Sequence, residues 1–485
     1  MVYESNALEL GGMVCDSNAL EMRCTVYDSN ALEMGDTVYD PNALELGGTM
    51  YDQNALKLRV MMCDLNALEI GGTVYNPNAL ELGDLRLFHS ADRHSPSPLD
   101  SALALARAAD ASRLAFLSSK RTSVPIASGQ QALQSSAYVL RAKLGSPPQQ
   151  LLLAVDTGAD VAWAPCSPCA SCPAAASQFL PANSSTYTPL SCSSSWCPQF
   201  KGQSCADAAP SGPCAFTQSY GGDSSFSALL VQDSLSLDSD VLPNFLFGCV
   251  NSVDGAAANL PKQGLLGLGR GTMSLLSQSG NLYQGVFSYC LPSFKSYYFS
   301  GSLRLGPVGQ PKNARFTPLL KNPHRPSLYY VNLVGVKVGR VLVAVQPDSF
   351  AFDPATGAGT VVDSGTVITR FVATAYAAIR DEFRRQANAS SGYTSLGAFD
   401  TCFSTDEVAV APSVTLRLEG LDLTLPVENT LIHSSATPLA CLAMASAPAN
   451  VNSVVNVIAS LQQQNLRVVV DTANDRLGFA RELCN

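Results

Sequence analysis

The chain has 485 residues, of which 46% are hydrophobic and 14% are charged, and its formal net charge is −9. This length and composition allow two or three domains with a large apolar core. Residues 1–85 hold 14 acidic and 3 basic side chains, whereas the rest holds 25 and 27 without a run of Lys or Arg. The nearly neutral body excludes nucleic acid as a main partner, and no apolar run reaches the roughly 18 residues that a membrane span needs.

The N-terminal region is repetitive: residues 2–85 are seven copies of a 12-residue unit, typified by residues 26–37. Asn30 and Glu33 fit a capping box for one helical turn, but one or two turns do not hold themselves in water. The period is also shorter than the roughly 20–50 residues of stacked repeats. We predict that residues 1–85 are disordered or weakly ordered. There are two alternatives. One is a small solenoid, and the other is a mispredicted or recently expanded N-terminus that replaced a signal peptide.

A second segment covers residues 86–123. Asp100 can cap a helix that runs from Ala102 to Leu117 and ends near Lys120. The residues that follow, 122–125, predict an extended linker. One interpretation is a surface helix; the other, which we adopt, is a propeptide-like segment that is cleaved near residues 120–125.

From Ala137 onward the pattern is mostly β, because short apolar runs alternate with Gly, Pro, Ser and Asn. Such runs occupy residues 137–140, 245–248, 329–333 and 467–470. One clear helix is predicted from Ala373 to Ala387, in which Tyr376, Ile379 and Phe383 share a face. The body is therefore predicted to be mostly β, with a few short helices and two lobes, residues 124–320 and 321–485.

Cysteines are concentrated in this body, which holds 12 of the 15. Seven lie within residues 166–214 among Ser, Pro, Ala and Gly, a composition that forms little core, so disulfides are the expected staples. Zinc is the alternative, since Cys166, Cys169 and Cys172 have metal-like spacing. Few His residues and no matching second Cys pair accompany them, so we predict disulfides, an oxidising compartment and no metal.

The most informative pattern is an apolar strand that ends in Asp-Thr/Ser-Gly and occurs twice, at residues 151–158 and 359–365. Each copy presents a carboxylate at a tight turn, and one copy lies in each half of the body. We therefore predict two lobes that bring Asp156 and Asp363 to a shared cleft. Two adjacent carboxylates cannot both ionise easily, so they share a proton and can act as base and acid toward a bound water.

The neighbours of the two aspartates support this interpretation. Gly158 and Gly365 have no Cβ, so the turns can approach each other closely. Thr157 and Ser364 offer hydroxyl groups for hydrogen bonds that would brace one turn against the other, and Thr366 keeps a hydroxyl after the second turn.

Further motifs lie at matching positions. Trp163 follows the first turn by seven residues, and the sequence from Tyr220 to Ser224 reads Tyr-Gly-Gly-Asp-Ser. Residues 264–269 and 456–460 each carry two apolar residues followed by a small one. With these motifs, the region from about residue 137 to 484 resembles the pepsin-like aspartic proteases, and most of all the cysteine-rich plant group that includes nepenthesin.

The resemblance implies a bilobal pepsin-like fold and a catalytic dyad of Asp156 and Asp363, with no cofactor. It also implies a flap whose Tyr220 closes over the substrate, with Trp163 behind the flap. Cys402 and Cys441 match a disulfide common in the second lobe of this family. The Asp-Thr-Ala at residues 471–473 lacks the glycine, so we interpret it as a turn and not as a third catalytic site.

Three positions depart from the family pattern. Ala159 stands where many members have a Ser that hydrogen-bonds the first Asp, so we expect that Asp to hold its proton more strongly and the dyad to be asymmetric. Ala459 replaces the Gly of the second apolar-apolar-Gly segment, where a methyl group can be accommodated but crowds a close backbone crossing. In the flap, Gly222 and Asp223 occur in the reverse of the order typical of plant members.

The sequence thus predicts an acid endopeptidase, made as a zymogen, that acts on protein or peptide substrates as a monomer. A binding or inhibitor protein with a decayed site is the main alternative, and a DNA-binding chloroplast protease is a third. The cysteines and the family imply the extracellular space (apoplast) or the vacuole, and Asn183 and Asn388 begin glycosylation sequons. No basic and apolar signal segment follows Met1, so we expect the true transcript to encode one.

Overall fold

The computed structural model describes short pieces of the repeats and most of the body. The described residues are 7–10, 13–16, 23–26, 37–38, 44–46, 68–70, 73–75, 122–172, 177–200, 202–205, 211–220, 224–255, 262–449 and 454–484. The chain divides into two compact units, residues 1–113 and 114–485. The helix predicted at residues 102–117 lies outside the described residues.

In the first unit the described pieces are short strands. A four-stranded sheet and a three-stranded sheet are formed by Ala7–Leu10, Met13–Asp16, Arg23–Val26 and Thr37–Val38, and by Leu44–Leu46, Leu68–Ile70 and Thr73–Tyr75. The Ala-Leu-Glu-Leu segment Ala7–Leu10 is extended and pairs with the next strand, so the helical turn that the capping-box pattern allows does not form there. Pairing satisfies backbone groups that a single isolated turn leaves exposed.

The second unit is mostly β, as predicted. Its strands are Thr122–Ser128, Tyr138–Leu144, Gln149–Asp156, Trp163–Ala170, Thr188–Pro189, Gln203–Cys205, Cys214–Tyr220, Ser224–Leu237, Asp240–Asp254, Leu265–Gly267, Val286–Cys290, Gly301–Leu305, Arg315–Leu320, Tyr330–Val331, Leu333–Val338, Val341–Leu342, Gly359–Val362, Thr369–Phe371, Thr394–Leu396, Phe399–Ser404, Val414–Leu418, Leu421–Thr424, Leu431–His433, Leu439–Leu442, Met444–Ser446, Val455–Ile458, Leu466–Asp471 and Arg476–Arg481.

Helices are few and short in this unit. They are Gly129–Leu133, Leu275–Gln278, Ala373–Ala387, Val427–Thr430 and Ser460–Gln463, with 3₁₀ turns at Pro181–Asn183, Cys197–Gln199, Pro347–Ser349 and Thr405–Val410. The helix predicted at Ala373–Ala387 is confirmed at both ends, and its predicted face of Tyr376, Ile379 and Phe383 is buried. Within the described part of the chain, no helix has the length and apolar character required to cross a bilayer.

An antiparallel sheet joins the two halves of the body. Its strands, in spatial order, are Thr122–Ser128, Gly301–Leu305, Val286–Cys290, Leu466–Asp471, Arg476–Arg481 and Arg315–Leu320. The last strands of the chain therefore pair with strands of the first half. Residues 122–125, predicted as a linker, instead begin the first of these strands, because Val124 and Ile126 are buried to 1% and 0% exposure in the core.

The two Asp motifs sit at the ends of strands built on the same plan. Gln149–Asp156 pairs in parallel with Leu265–Gly267, and Gly359–Val362 pairs in parallel with Val455–Ile458. We call Leu265–Gly267 and Val455–Ile458 the crossing strands. In each half, the crossing strand is the apolar-apolar segment that the sequence singled out, and it supports the strand that leads into the Asp turn.

All twelve cysteines of the body form disulfides. The pairs are Cys166–Cys249, Cys169–Cys172, Cys192–Cys205, Cys197–Cys214, Cys290–Cys484 and Cys402–Cys441. The zinc alternative is wrong, because Cys166 bonds Cys249 while Cys169 and Cys172 bond each other. The sulfur atoms of Cys192, Cys197 and Cys205 also lie within 4.8 Å of one another, but each is already in a disulfide and offers no thiolate to a metal.

Candidate active site

The structure brings the two Asp turns together at the centre of the body. The carboxyl groups of Asp156 and Asp363 are close neighbours, and each turn reaches the carboxyl of the other. A Cβ built on Gly365 would lie 2.3 Å from Asp156 Oδ1, and one built on Gly158 would lie 3.1 Å from Asp363 Oδ1. The glycines are therefore required by the close approach of one turn to the carboxylate of the other, most strictly at Gly365.

Hydroxyl groups brace one turn against the other, as the sequence predicted. The Thr157 N–H donates to Ser364 Oγ at 3.1 Å, and the Ser364 N–H donates to Thr157 Oγ1 at 2.9 Å. Ser364 Oγ in turn donates to the carbonyl of Val155 at 3.2 Å. Thr157 and Ser364 are 1% and 2% exposed, so these bonds form in a dry environment where they hold the two halves in register.

The dyad is asymmetric in its hydrogen-bond donors. Backbone N–H groups serve both carboxylates, from Gly158 to Asp156 Oδ1 at 2.7 Å and from Gly365 to Asp363 Oδ1 at 2.9 Å. Asp363 also receives the Thr366 hydroxyl on Oδ2 at 2.6 Å. Ala159, at the position that matches Thr366, offers Asp156 a backbone hydrogen bond and no hydroxyl. The two carboxyl groups therefore differ by a side-chain hydroxyl donor that Asp363 has and Asp156 lacks.

The pKa of Asp156 is raised to about 7, chiefly by burial and then by the charge of the neighbouring Asp363, against the lowering effect of the N–H donors of Gly158 and Ala159. Although Asp156 keeps a small exposed surface, the desolvation of its carboxyl is the largest cause of the raised pKa. Asp156 therefore keeps its proton to a higher pH than a free Asp side chain does.

The elements around the flap are partly described. Trp163 is 6% exposed, and its ring centroid lies 4.7 Å from that of Phe226, just after the predicted flap tip. Tyr220 ends the strand Cys214–Tyr220, and its backbone pairs with Ser224. The side chain of Tyr220 and residues 221–223, including the Gly222-Asp223 departure, lie outside the described residues. Trp163 thus supports the base of the hairpin that carries residues 221–223.

The two crossing strands end differently. A Cβ on Gly267 would lie 2.2 Å from the carbonyl oxygen of Asp160, so only glycine fits there. Ala459 occupies the corresponding place after Val455–Ile458, is fully buried, and donates its N–H to Thr369 Oγ1 at 2.9 Å. The second half therefore accommodates the methyl group that the sequence predicted would crowd the crossing.

The remaining predicted residues lie away from the dyad. Asn183 and Asn388 are exposed, and Asn388 ends the helix Ala373–Ala387 in the left-handed conformation with φ of 44°. Cys402 bonds Cys441, the pair that the resemblance implied. Asp471 accepts hydrogen bonds from Asn474 and Arg476, so residues 471–473 belong to a turn between two strands.

Sequence reasoning missed three residues around the dyad. Asp160 accepts hydrogen bonds from the Gly271 N–H at 2.8 Å and from the Ser327 hydroxyl. Tyr289 and Gln463 reach the two Asp turns from the central sheet and from the helix Ser460–Gln463. The run of three glutamines after the second crossing strand is unusual enough to have drawn attention to Gln463. Tyr289 lies in an ordinary apolar strand, and nothing in the sequence around it indicates a special role.

Comparison with known proteins agrees with this geometry. The family models described as "Xylanase inhibitor N-terminal" and "Xylanase inhibitor C-terminal" match residues 138–307 and 328–481. "Aspartyl protease 25" of Oryza sativa subsp. japonica is 63% identical over 421 residues, which cover 83% of this chain and 95% of that protein. This chain belongs to the plant pepsin-like aspartic protease family.

Other members of the plant pepsin-like family are similar over most of the body. "Aspartyl protease AED3" of Arabidopsis thaliana is 58% identical over 398 residues, which cover 81% of this chain and 88% of that protein. The crystal structure of basic 7S globulin from soybean matches with a TM-score of 0.59 at 21% identity and covers 75% of this chain and 96% of that one. At that identity the likeness confirms the fold of the plant pepsin-like family.

Proposed function

We propose that this protein is an aspartic endopeptidase that hydrolyses peptide bonds of proteins or peptides at acid pH. Asp156 and Asp363 are the catalytic residues in this proposal. The observation that carries it is a pair of carboxyl groups held close together by two Asp turns: burial and the neighbouring charge raise the pKa of Asp156 to about 7, and Asp363 receives a hydroxyl donor that Asp156 lacks. Relatives named aspartyl proteases support the same reaction class.

In the proposed mechanism, the Asp363 carboxylate removes a proton from a water molecule as the water oxygen bonds to the scissile carbonyl carbon. Protonated Asp156 donates to the carbonyl oxygen, which forms a neutral tetrahedral intermediate. Protonated Asp363 then donates its proton to the amide nitrogen as the C–N bond breaks, while Asp156 takes a proton from one hydroxyl of the intermediate, which leaves an amine, a carboxylic acid and the dyad in its starting state. The N–H groups of Gly158 and Gly365 hold the two carboxylates in place during both steps.

The proposed setting is the extracellular space or the vacuole. Six disulfides in the body favour an oxidising compartment. We also propose that residues 86–123 act as a propeptide-like segment before lobes at 124–320 and 321–485. Since Val124 and Ile126 are buried in the central sheet, a maturation cut before Thr122 would leave this strand in place, whereas a cut within residues 122–125 would remove part of it.

The test is hydrolysis of a denatured protein substrate by the full chain, refolded with its disulfides, between about pH 2.5 and 7. We expect acid-dependent cleavage that pepstatin blocks and that Asp156→Asn abolishes. Activity should fall as the pH rises through about 7, because Asp156 then loses the proton that it must donate. Cleavage that persists in Asp156→Asn would refute the proposed dyad.

A second candidate is a binding protein without catalytic activity. It is favoured by Ala159, which withholds a hydroxyl from Asp156, and by family models that are described as xylanase inhibitors. If the folded wild type, with the region before Thr122 removed, cleaves nothing at any pH, this candidate replaces the first. Ala159→Ser then tests whether the missing hydroxyl is the cause.

A further inference from the structure

Behind the Asp turns lies a buried tyrosine that the proposed reaction does not use. Tyr289 belongs to the strand Val286–Cys290 of the central sheet and is 1% exposed. Its hydroxyl donates to Gln463 Oε1 at 2.6 Å, and it lies beside Thr157, whose own hydroxyl donates to Asp363 Oδ1 at 3.4 Å. The phenol oxygen is therefore bonded to a residue of the second half of the chain and lies next to the first Asp turn.

Gln463 carries this connection to the second Asp turn. Its Nε2 donates to the carbonyl of Asp363 at 3.0 Å and to the carbonyl of Ile458 at 2.8 Å. The Asp363 N–H donates to the same Ile458 carbonyl at 3.0 Å. The glutamine amide thus holds the backbone of Asp363 against the end of the crossing strand, with its oxygen and both of its N–H groups engaged.

The neighbours of Gln463 make different contacts. Gln462 Nε2 donates to the carbonyls of Asn429 and Ala443, and Gln464 Nε2 donates to the carbonyl of Leu461. All three glutamines are buried to 4% exposure or less. Among the described hydrogen bonds of this run, those of Gln463 are the ones that reach Asp363, so burial alone does not explain its position.

The first Asp turn is supported in another way. The carbonyl of Asp156 accepts the backbone N–H of Leu268 at 2.8 Å, in a crossing where Gly267 lets two backbones approach. In the second half, Ala459 replaces that glycine and a side-chain amide serves the Asp363 carbonyl. The carbonyl of the second Asp therefore accepts from a side chain the kind of hydrogen bond that the carbonyl of the first Asp accepts from the backbone.

We propose that Tyr289 and Gln463 are positioning residues that hold the Asp363 turn in register with Thr157 and the first turn. The proposal rests on the proposed function, because it concerns the placement of the proposed base. A base displaced by a fraction of an ångström from its hydrogen-bonded geometry still leaves the cleft able to bind substrate, but it slows the proton transfer. Loss of either residue should therefore lower kcat and leave KM nearly unchanged.

The experiment compares Tyr289→Phe, Gln463→Leu and the double variant with two controls in the full chain. Tyr138→Phe removes a buried hydroxyl that donates to the Pro292 carbonyl at 2.8 Å, and Gln462→Leu removes a buried amide. We expect kcat to fall about tenfold in Tyr289→Phe and about thirtyfold in Gln463→Leu, with KM changed by less than about twofold. The double variant should be no worse than Gln463→Leu, because both residues act through one path.

The controls separate positioning from stability. Tyr138→Phe and Gln462→Leu should lower the melting temperature by a similar amount while kcat stays within about twofold of the wild type. Tyr289→Phe keeps the ring and its packing, so it remains informative if Gln463→Leu does not fold. Unchanged kcat in folded Tyr289→Phe, or an equal loss in Tyr138→Phe, overturns the positioning proposal alone. A wild type that is folded but inactive overturns the proposed function and the positioning proposal with it.

Discussion

The two Asp turns share one backbone arrangement but differ in the groups that support it. Both follow an apolar strand that is supported by a parallel crossing strand. The first turn relies on backbone contacts that Gly267 permits, and its Asp156 is desolvated and holds a proton. The second turn has Ala459 at the crossing, an amide from Gln463 and a hydroxyl from Thr366. Similar backbones thus place two carboxyl groups in environments that suit an acid and a base.

The largest expected effect concerns the crossing itself. Gly267→Ala would put a methyl group 2.2 Å from the Asp160 oxygen and 2.8 Å from the Ala159 oxygen, both backbone atoms that cannot move aside easily. We expect a loss of more than about 3 kcal/mol in the free energy of unfolding. Ala459→Gly should cost about 1 kcal/mol, mainly from the added freedom of the unfolded chain. The denaturant midpoints of the two variants measure these changes in the free energy of unfolding. Equal losses in Gly267→Ala and Ala459→Gly would contradict the difference in tightness between the two strand crossings.

The glycines of the turns give the next contrast. Gly365→Ala would place Cβ 2.3 Å from Asp156 Oδ1, whereas Gly158→Ala would place it 3.1 Å from Asp363 Oδ1. We expect kcat/KM to fall roughly 100-fold or more in Gly365→Ala and about tenfold in Gly158→Ala, since displaced carboxylates no longer share a proton. Peptide hydrolysis at the optimum pH measures this, and a larger loss in Gly158→Ala would contradict the geometry.

The protonation of Asp156 predicts a stability change that depends on pH. In the unfolded chain this group loses its proton near pH 4, whereas the folded protein retains it up to about pH 7. Its contribution to stability is complete at low pH and is lost as the pH rises through that interval. A pKa difference of about three units is worth at most about 4 kcal/mol, and the residual exposure of Asp156 reduces this. Asp156→Asn carries no charge to bury, so at pH 8 we expect it to be more stable than the wild type by about 2 kcal/mol.

The control for this measurement is internal. Below about pH 3.5 the wild-type carboxyl is neutral in both states, so the stability difference between Asp156→Asn and the wild type should disappear there. Thermal unfolding at several pH values provides the measurement. A difference that is constant with pH would show that packing, and not the titration of Asp156, is responsible.

The smallest effects come from exchanging the hydroxyls that distinguish the turns. Thr366→Ala removes the donor 2.6 Å from Asp363 Oδ2 and should lower kcat about tenfold. Ala159→Ser adds a donor for ionised Asp156, which lowers its pKa, so the alkaline limb of the activity profile should move down by about half a pH unit. An alkaline limb that moves upward would contradict the assignment of Asp156 as the acid.

Much of this architecture follows from local sequence. Alternating apolar runs predicted the strands, an amphipathic spacing predicted the helix Ala373–Ala387, and the repeated Asp-Thr/Ser-Gly predicted that Asp156 and Asp363 meet. These features depend on periodicity and on turn residues that act within a few positions of one another. The segment at residues 122–125 was mistaken for a linker because its partner strand, Gly301–Leu305, lies far away in the chain.

Contacts between distant residues required the folded structure. The pairing of twelve cysteines cannot be read from their spacing, and nothing near Tyr289 in sequence indicates that its hydroxyl lies behind two turns from different halves. The same is true of the proton on Asp156, since its pKa is set chiefly by burial and by a carboxyl 207 residues away. The local sequence pattern predicts which side chains lie at the two Asp turns, whereas tertiary packing determines their hydrogen-bond partners and their protonation.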